Sequence, residues 1–146
     1  MAWMEIQTQE DIDFLMDSMG HFHDSCIKEL WYTSGAFADE KGMYPINSKR
    51  KMHLILQGRH AVELVFYDLV SMYLNPVNPA YTCEILGATL ILEDGDILFL
   101  DNYAQDYRTL FEYEGVGWVR AQKLRWRIID LYFGQQDIYH PLDSEV

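Results

Sequence analysis

The stretch Met52-His53-Leu54-Ile55-Leu56-Gln57-Gly58-Arg59-His60-Ala61-Val62-Glu63-Leu64-Val65-Phe66 decides the fold class. Met52, Leu54 and Leu56 recur at every second position, as do Val62, Leu64 and Phe66. That is the period of strands with one buried face. A three-residue loop, Gln57-Gly58-Arg59, puts the two apolar sets on the same side. A two-residue Gly58-Arg59 turn would put them on opposite sides, so the pattern favours a hairpin with a loop of odd length.

Outward from this hairpin the chain repeats the theme. Strand-like runs rich in aromatic and β-branched residues occupy 26–33, 82–92, 97–100 and 118–129. Asp94-Gly95 between Leu92 and Ile97 is a type I′ hairpin signal. Residues 34–49 read as a loop, because Ser34-Gly35, Lys41-Gly42, Pro45 and Asn47 form turns. Asn75-Pro76-Val77-Asn78-Pro79 breaks the chain again. Residues 107–113 fit either a strand or a helical turn, and the polar tail from Gly134 to Val146, with Pro141, is expected on the surface. Ahead of the strands, Thr8-Gln9-Glu10-Asp11 resembles a capping box. Ile12, Leu15, Met16 and Met19 follow at helical spacing, and Gly20 is a stop. The expectation is a mainly β single domain over 1–146. Its antiparallel sheets would form a sandwich or half-open barrel of roughly six to eight strands, with one N-terminal helix, 9–19, packed on it.

Composition bounds the function. The chain has 146 residues, 49 % of them hydrophobic, which suits one folded domain. Acids number 23 against 11 bases, for a net charge of −12. Such a surface repels nucleic-acid backbones and anionic lipid, and it attracts basic partners. No apolar run reaches the ~18 residues that span a bilayer. The start, Met1-Ala2-Trp3-Met4-Glu5-Ile6, lacks the basic flank and apolar stretch of a signal peptide. The two cysteines, Cys26 and Cys83, sit in strand patterns and are expected to be reduced and buried rather than bridged. Together these features lead us to expect a soluble cytoplasmic protein without cofactor, membrane or nucleic-acid partner.

Three clusters carry chemistry. In His21-Phe22-His23-Asp24-Ser25-Cys26, the two histidines would share a side on an extended strand and could ligate one ion. Yet no second cluster supplies further ligands, because His53, His60 and His140 are scattered. Ser25 or Cys26 beside His23 lacks a nucleophile elbow. We therefore expect His23 and Asp24 to form a structural polar cluster, without metal and without catalysis. Lys123, Arg125 and Arg127 alternate with Leu124, Trp126 and Ile128, which makes a basic stripe able to hold an anionic ligand. The same stripe could instead pair across strands with Glu63, Glu84 or Glu93. Glu93, Asp94 and Asp96 crowd a hairpin tip too short to wrap calcium. Of the four tryptophans and ten tyrosines, most are expected in the core, while Tyr44 and Tyr103 fall in loops where partner-binding aromatics sit.

The segments Asp11-Ile12-Asp13, Phe22-His23-Asp24-Ser25-Cys26-Ile27-Lys28-Glu29, Tyr32-Thr33-Ser34-Gly35-Ala36 and Trp118-Val119-Arg120-Ala121, with Trp126-Arg127, resemble a family of small uncharacterised bacterial proteins. The Phe-His-Asp segment is also similar to one found in immunity proteins of bacterial polymorphic-toxin systems. The resemblance implies a non-enzymatic interaction protein that binds and neutralises a cognate toxin. The net charge of −12 suits a basic partner, with Asp94 and Asp96 steering it and the loop tyrosines Tyr44 and Tyr103 as expected contact residues. A small-ligand-binding β module, using the aromatic and basic strand faces, is the second reading. A metal-dependent enzyme at His21, His23 and Asp24 is the third.

Overall fold

A computed structural model describes residues 2–135. Strand β1 (Met4–Ile6) leads into helix α1 (Gln9–Ser18). The capping box closes as expected: the Thr8 hydroxyl accepts from Asp11 N at 3.2 Å, and Asp11 Oδ2 accepts from Thr8 N at 2.9 Å. Ile12, Leu15 and Met16 form the buried stripe of α1. Then come β2 (Cys26–Thr33), β3 (Phe37–Asp39), β4 (Gly42–Tyr44), β5 (Lys51–Gln57), β6 (Ala61–Tyr73), β7 (Thr89–Glu93), β8 (Asp96–Leu100) and β9 (Trp118–Ile128).

The chain is mainly β, with one antiparallel sheet of seven strands, six of them in the order β2-β5-β6-β9-β8-β7 and the seventh, β1, beside β9. β1 shares an edge of β9 with β8: Met4 to Ile6 face Trp126 to Leu124, while Ile97 to Leu100 face Ala121 to Trp118. Met52 faces Phe66, Leu54 faces Leu64 and Leu56 faces Val62, so the hairpin has one apolar face. Its loop is odd but lies one residue later than expected, at Gly58-Arg59-His60, because Gln57 still pairs with Ala61. That face packs with Leu90, Ile97, Phe99, Val119, Leu124 and Trp126 beneath α1 as the main core. Each large side chain fully buried there contributes about 1.5–3 kcal/mol.

The sheet does not close into a barrel, but one end is stitched. Ser25, just before β2, bridges Ile85, just before β7. Ile85 N donates to Ser25 O at 2.7 Å, Asp24 N to Ile85 O at 2.8 Å and Ala88 N to His21 O at 3.0 Å. This clasp joins the two outer edges of the sheet.

Four readings need correction. The strand expected over 82–92 begins only at Thr89. Ahead of it, Asn78 Oδ1 accepts from Ala80 N and Thr82 Oγ1 from Glu84 N, local turns that capture donors a ladder would use. Residues 34–49 hold the β3–β4 hairpin, where Phe37 stacks on Tyr44 at 4.6 Å. β6 runs on to Tyr73, with Asp68 in the left-handed region (φ 50°) and a register shift between Leu69 and Ser71. Cys26 is half-buried rather than buried, and Cys83 is exposed, since it lies in the turn segment ahead of β7 and not in a strand. Residues 107–112, whose sequence fits either a strand or a helical turn, take the helical form, a 3-10 helix capped by Asp106, whose Oδ1 accepts from Arg108 N at 3.1 Å. The expectation for the tail, and for His140 and Pro141, lies from residue 136 on outside the described residues.

Candidate functional site

The basic stripe lies on the sheet face turned away from α1. Arg127 faces Glu63 on β6, Arg125 faces Val65 on β6 and Glu5 on β1, and Lys123 faces Tyr67. Glu63 is fully buried. Its Oε1 accepts from Arg127 Nε at 3.0 Å and its Oε2 lies 2.8 Å from His53 Nδ1. The guanidinium groups of Arg125 and Arg127 stand over the Trp3 ring at 4.4 and 4.3 Å, and Arg125 also lies 5.1 Å from the Tyr67 ring. Trp31 lies beside His53, 6.1 Å between ring centres. Lys123 reaches Asp68 at 3.7 Å on the exposed rim.

Of the three cross-strand acids expected for this stripe, only Glu63 serves it. Glu93 pairs with Arg120, which also reaches Asp96 at 3.4 Å, and those acids hold the Arg120 charge more firmly than usual. Glu84 instead meets Asp24. The hydrogen bond between these two carboxyls raises the pKa of Glu84 and lowers that of Asp24. The tryptophans also depart from expectation. Trp126 is core, whereas Trp3 and Trp31 are half-buried beside charged side chains of the outer face, and Trp118 is half-buried against a second apolar cluster of Leu98, Leu100, Leu110 and Val116.

The segment around His23 is a turn rather than the start of a strand. Gly20, His21 and Phe22 are all left-handed (φ 59°, 55° and 59°), and so is Asp24 (φ 62°). His21 and His23 therefore lack the shared strand side on which a two-ligand site was considered. His21 turns to Asp17, 3.7 Å away, and His23 Nδ1 lies 3.0 Å from Asp24 Oδ2. Among the described residues no three side chains of His, Cys, Asp and Glu converge on one point. The backbone of Asp24 and Ser25, next to these rings, carries the clasp.

A groove beside α1 takes in Tyr103, one of the expected partner residues. One part, about 560 Å³, is lined by His21, Leu86, Ala88 and Tyr103. The adjoining part, about 320 Å³, adds Asp13 and Asp17 of α1 and shares His21, Ala88 and Tyr103. Asp13 and Asp17 are one helical turn apart, so both carboxylates face the groove. Tyr103 is 68 % exposed and Leu86 73 %. The loop carrying Tyr103 is held by the Thr89 hydroxyl, which donates to Asn102 O at 2.8 Å. Asp94 and Gly95 form the hairpin tip with positive φ (52° and 84°), as its sequence signal requires, but Asp96 is engaged by Arg120. Tyr44 sits on the β3–β4 hairpin, outside the groove lining. The sequence reading did not single out Leu86, Asp13 or Asp17 as residues of one groove. Leu86 lies in a segment read as strand, and the aspartates look like an ordinary solvated helix face.

No protein-family model matches the chain, and neither a curated protein nor a solved structure matches it. Among the described residues no helix is long and apolar enough to cross a membrane.

Proposed function

We propose that this chain is a non-enzymatic interaction protein whose acidic groove beside α1 receives a basic segment of a protein partner. The resemblance to immunity proteins implies such a role, with the partner a toxin. The reading rests on one observation. An exposed tyrosine, Tyr103, stands over a groove whose rim carries Asp13 and Asp17, on a chain of net charge −12. Aromatic anchors in concave sites supply affinity, while surrounding charge supplies orientation and speed. We place this activity in the cytoplasm, where Cys26 and Cys83 remain thiols, as they are in the structure.

Co-expression with the product of the adjacent gene, followed by pull-down and a growth assay, tests the reading. The expected result is a complex and protection from toxicity. Its association rate should fall about tenfold or more as salt rises from roughly 0.05 to 0.5 M, because the Debye length shrinks below 10 Å. Tyr103→Ala should speed release, and Asp13→Lys with Asp17→Lys should slow association. Absence of both complex and protection would remove the proposal.

A further inference from the structure

The clasp leaves a cleft on its other side. Leu74 and Val77 come from the chain leaving β6, Ile27 and Leu30 from β2, and Ile85 from the clasp itself. The cleft measures about 390 Å³, within the roughly 300–1,000 Å³ of small-molecule sites. Ile27, Leu30 and Leu74 pack against the main core, so the cleft is a mouth opening toward the interior of the half-open sheet. Two ionisable side chains join this apolar wall, the Cys83 thiol and the Asp101 carboxyl, and of these the carboxyl carries charge most readily. Asp101, at the end of β8, is fixed there because Gly117 N donates to its Oδ1 at 2.9 Å and Asp101 N donates to Gly117 O at 3.0 Å.

From this arrangement we infer that the cleft is a binding site for a small amphiphile, an apolar chain or ring carrying a primary ammonium group, with the body against Ile27, Leu30 and Leu74 and the head on Asp101. A carboxyl placed among apolar side chains selects a cationic hydrogen-bond donor and rejects a carboxylate, since two like charges in a low-dielectric cleft repel. Burial also makes a carboxylate without a counter-ion costly, which pushes the Asp101 pKa up and gives an ammonium partner more to offset. The site is independent of the acidic groove, although Ile85 lies only one residue from Leu86 of the groove lining.

Calorimetric titration of the purified chain at pH 7 with octylamine, octanol and octanoate tests this. Octylamine should bind about tenfold or more tightly than octanoate, the factor expected for one charge-assisted hydrogen bond. Asp101→Asn keeps the acceptor for Gly117 N and should bring octylamine to within about threefold of octanol. Val77→Trp places bulk on a rim position that is 46 % exposed, so the fold need not accommodate it, and it should abolish binding of both amine and alcohol. That variant leaves the net charge unchanged and so separates the cleft from general attraction of amines to an acidic surface. Equal binding of amine and carboxylate, or amine binding undiminished in Val77→Trp, would overturn the inference even if Asp101→Asn failed to fold.

Discussion

Ser25 and Ile85 form a single antiparallel bridge between the two outer edges of a seven-stranded sheet. The bridge is buttressed from behind. A Cβ on Gly58 would lie 2.6 Å from Ser25 Cβ and 3.0 Å from Ser25 Cα, too close for the backbone to stay in place. Gly58→Ala is therefore expected to cost roughly 1–3 kcal/mol in urea unfolding, as overpacking does elsewhere. Gly115→Ala meets nothing within 4 Å and should change stability by less than about 0.5 kcal/mol. Equal effects at the two positions would mean that the clasp is not closely packed.

The turn entering the clasp carries strain that burial of Phe22 offsets. Left-handed backbone costs a residue with a side chain about 1–2 kcal/mol, and His21, Phe22 and Asp24 all adopt it. Phe22 is buried edge-on to Phe99 at 6.1 Å, and Ser25 Oγ donates to Phe22 O at 2.5 Å. Phe22→Ala should destabilise by about 3–5 kcal/mol. His21→Gly should be neutral or stabilising by up to about 1 kcal/mol, because glycine tolerates φ near 55°. A large loss of thermal stability in His21→Gly would contradict this account of the strain.

How much of this was legible follows from which forces act locally. Alternation in 52–66, the Asp94-Gly95 turn and the Thr8–Asp11 cap are short-range signals, and each reads correctly. The extension of β6 was hidden because its core-facing set changes parity, from Val62, Leu64 and Phe66 to Leu69. β9 changes with it, from Leu124 and Trp126 to Ala121 and Val119. A period-two template ends at such a switch even though the strand continues. The clasp could not be read at all, since nothing in Ser25 or Ile85 announces a partner 60 residues away. The basic stripe on β9 was visible, whereas its partner Glu63 was one of three candidates until register selected it.

Glu63 should be the costliest polar position in the sheet. It is fully buried between Arg127 and His53, so Glu63→Leu leaves a guanidinium in the interior without that carboxylate. Losing one member of a buried ion pair costs about 3–5 kcal/mol, and salt screens such pairs little. Lys123→Ala removes only an exposed pair with Asp68 and should cost under about 1 kcal/mol, less at high salt. Urea midpoints at low and high salt check both. A Glu63→Leu effect as small as that of Lys123→Ala would show that the buried network contributes nothing beyond packing.

Asp101 should give stability a recognisable pH slope. Burial raises its pKa in the folded chain above an aspartate's ordinary value. Between the unfolded and folded pKa values the native state therefore holds more protons than the unfolded state. The contribution of Asp101 is accordingly fully present below the unfolded pKa, near 4, and is lost as pH rises through the folded value. The side-chain amide of the Asp101→Asn variant is neutral at every pH and can still accept from Gly117 N, so the variant lacks this loss. Wild type minus Asp101→Asn, measured by urea unfolding at pH 4 and pH 7, should shift in favour of the variant at pH 7. The Asp24–Glu84 pair titrates in both proteins and cancels in the difference. A shift in favour of wild type would mean that the Asp101 carboxylate is stabilised where it sits. The cleft would then hold a settled charge rather than one awaiting a cation.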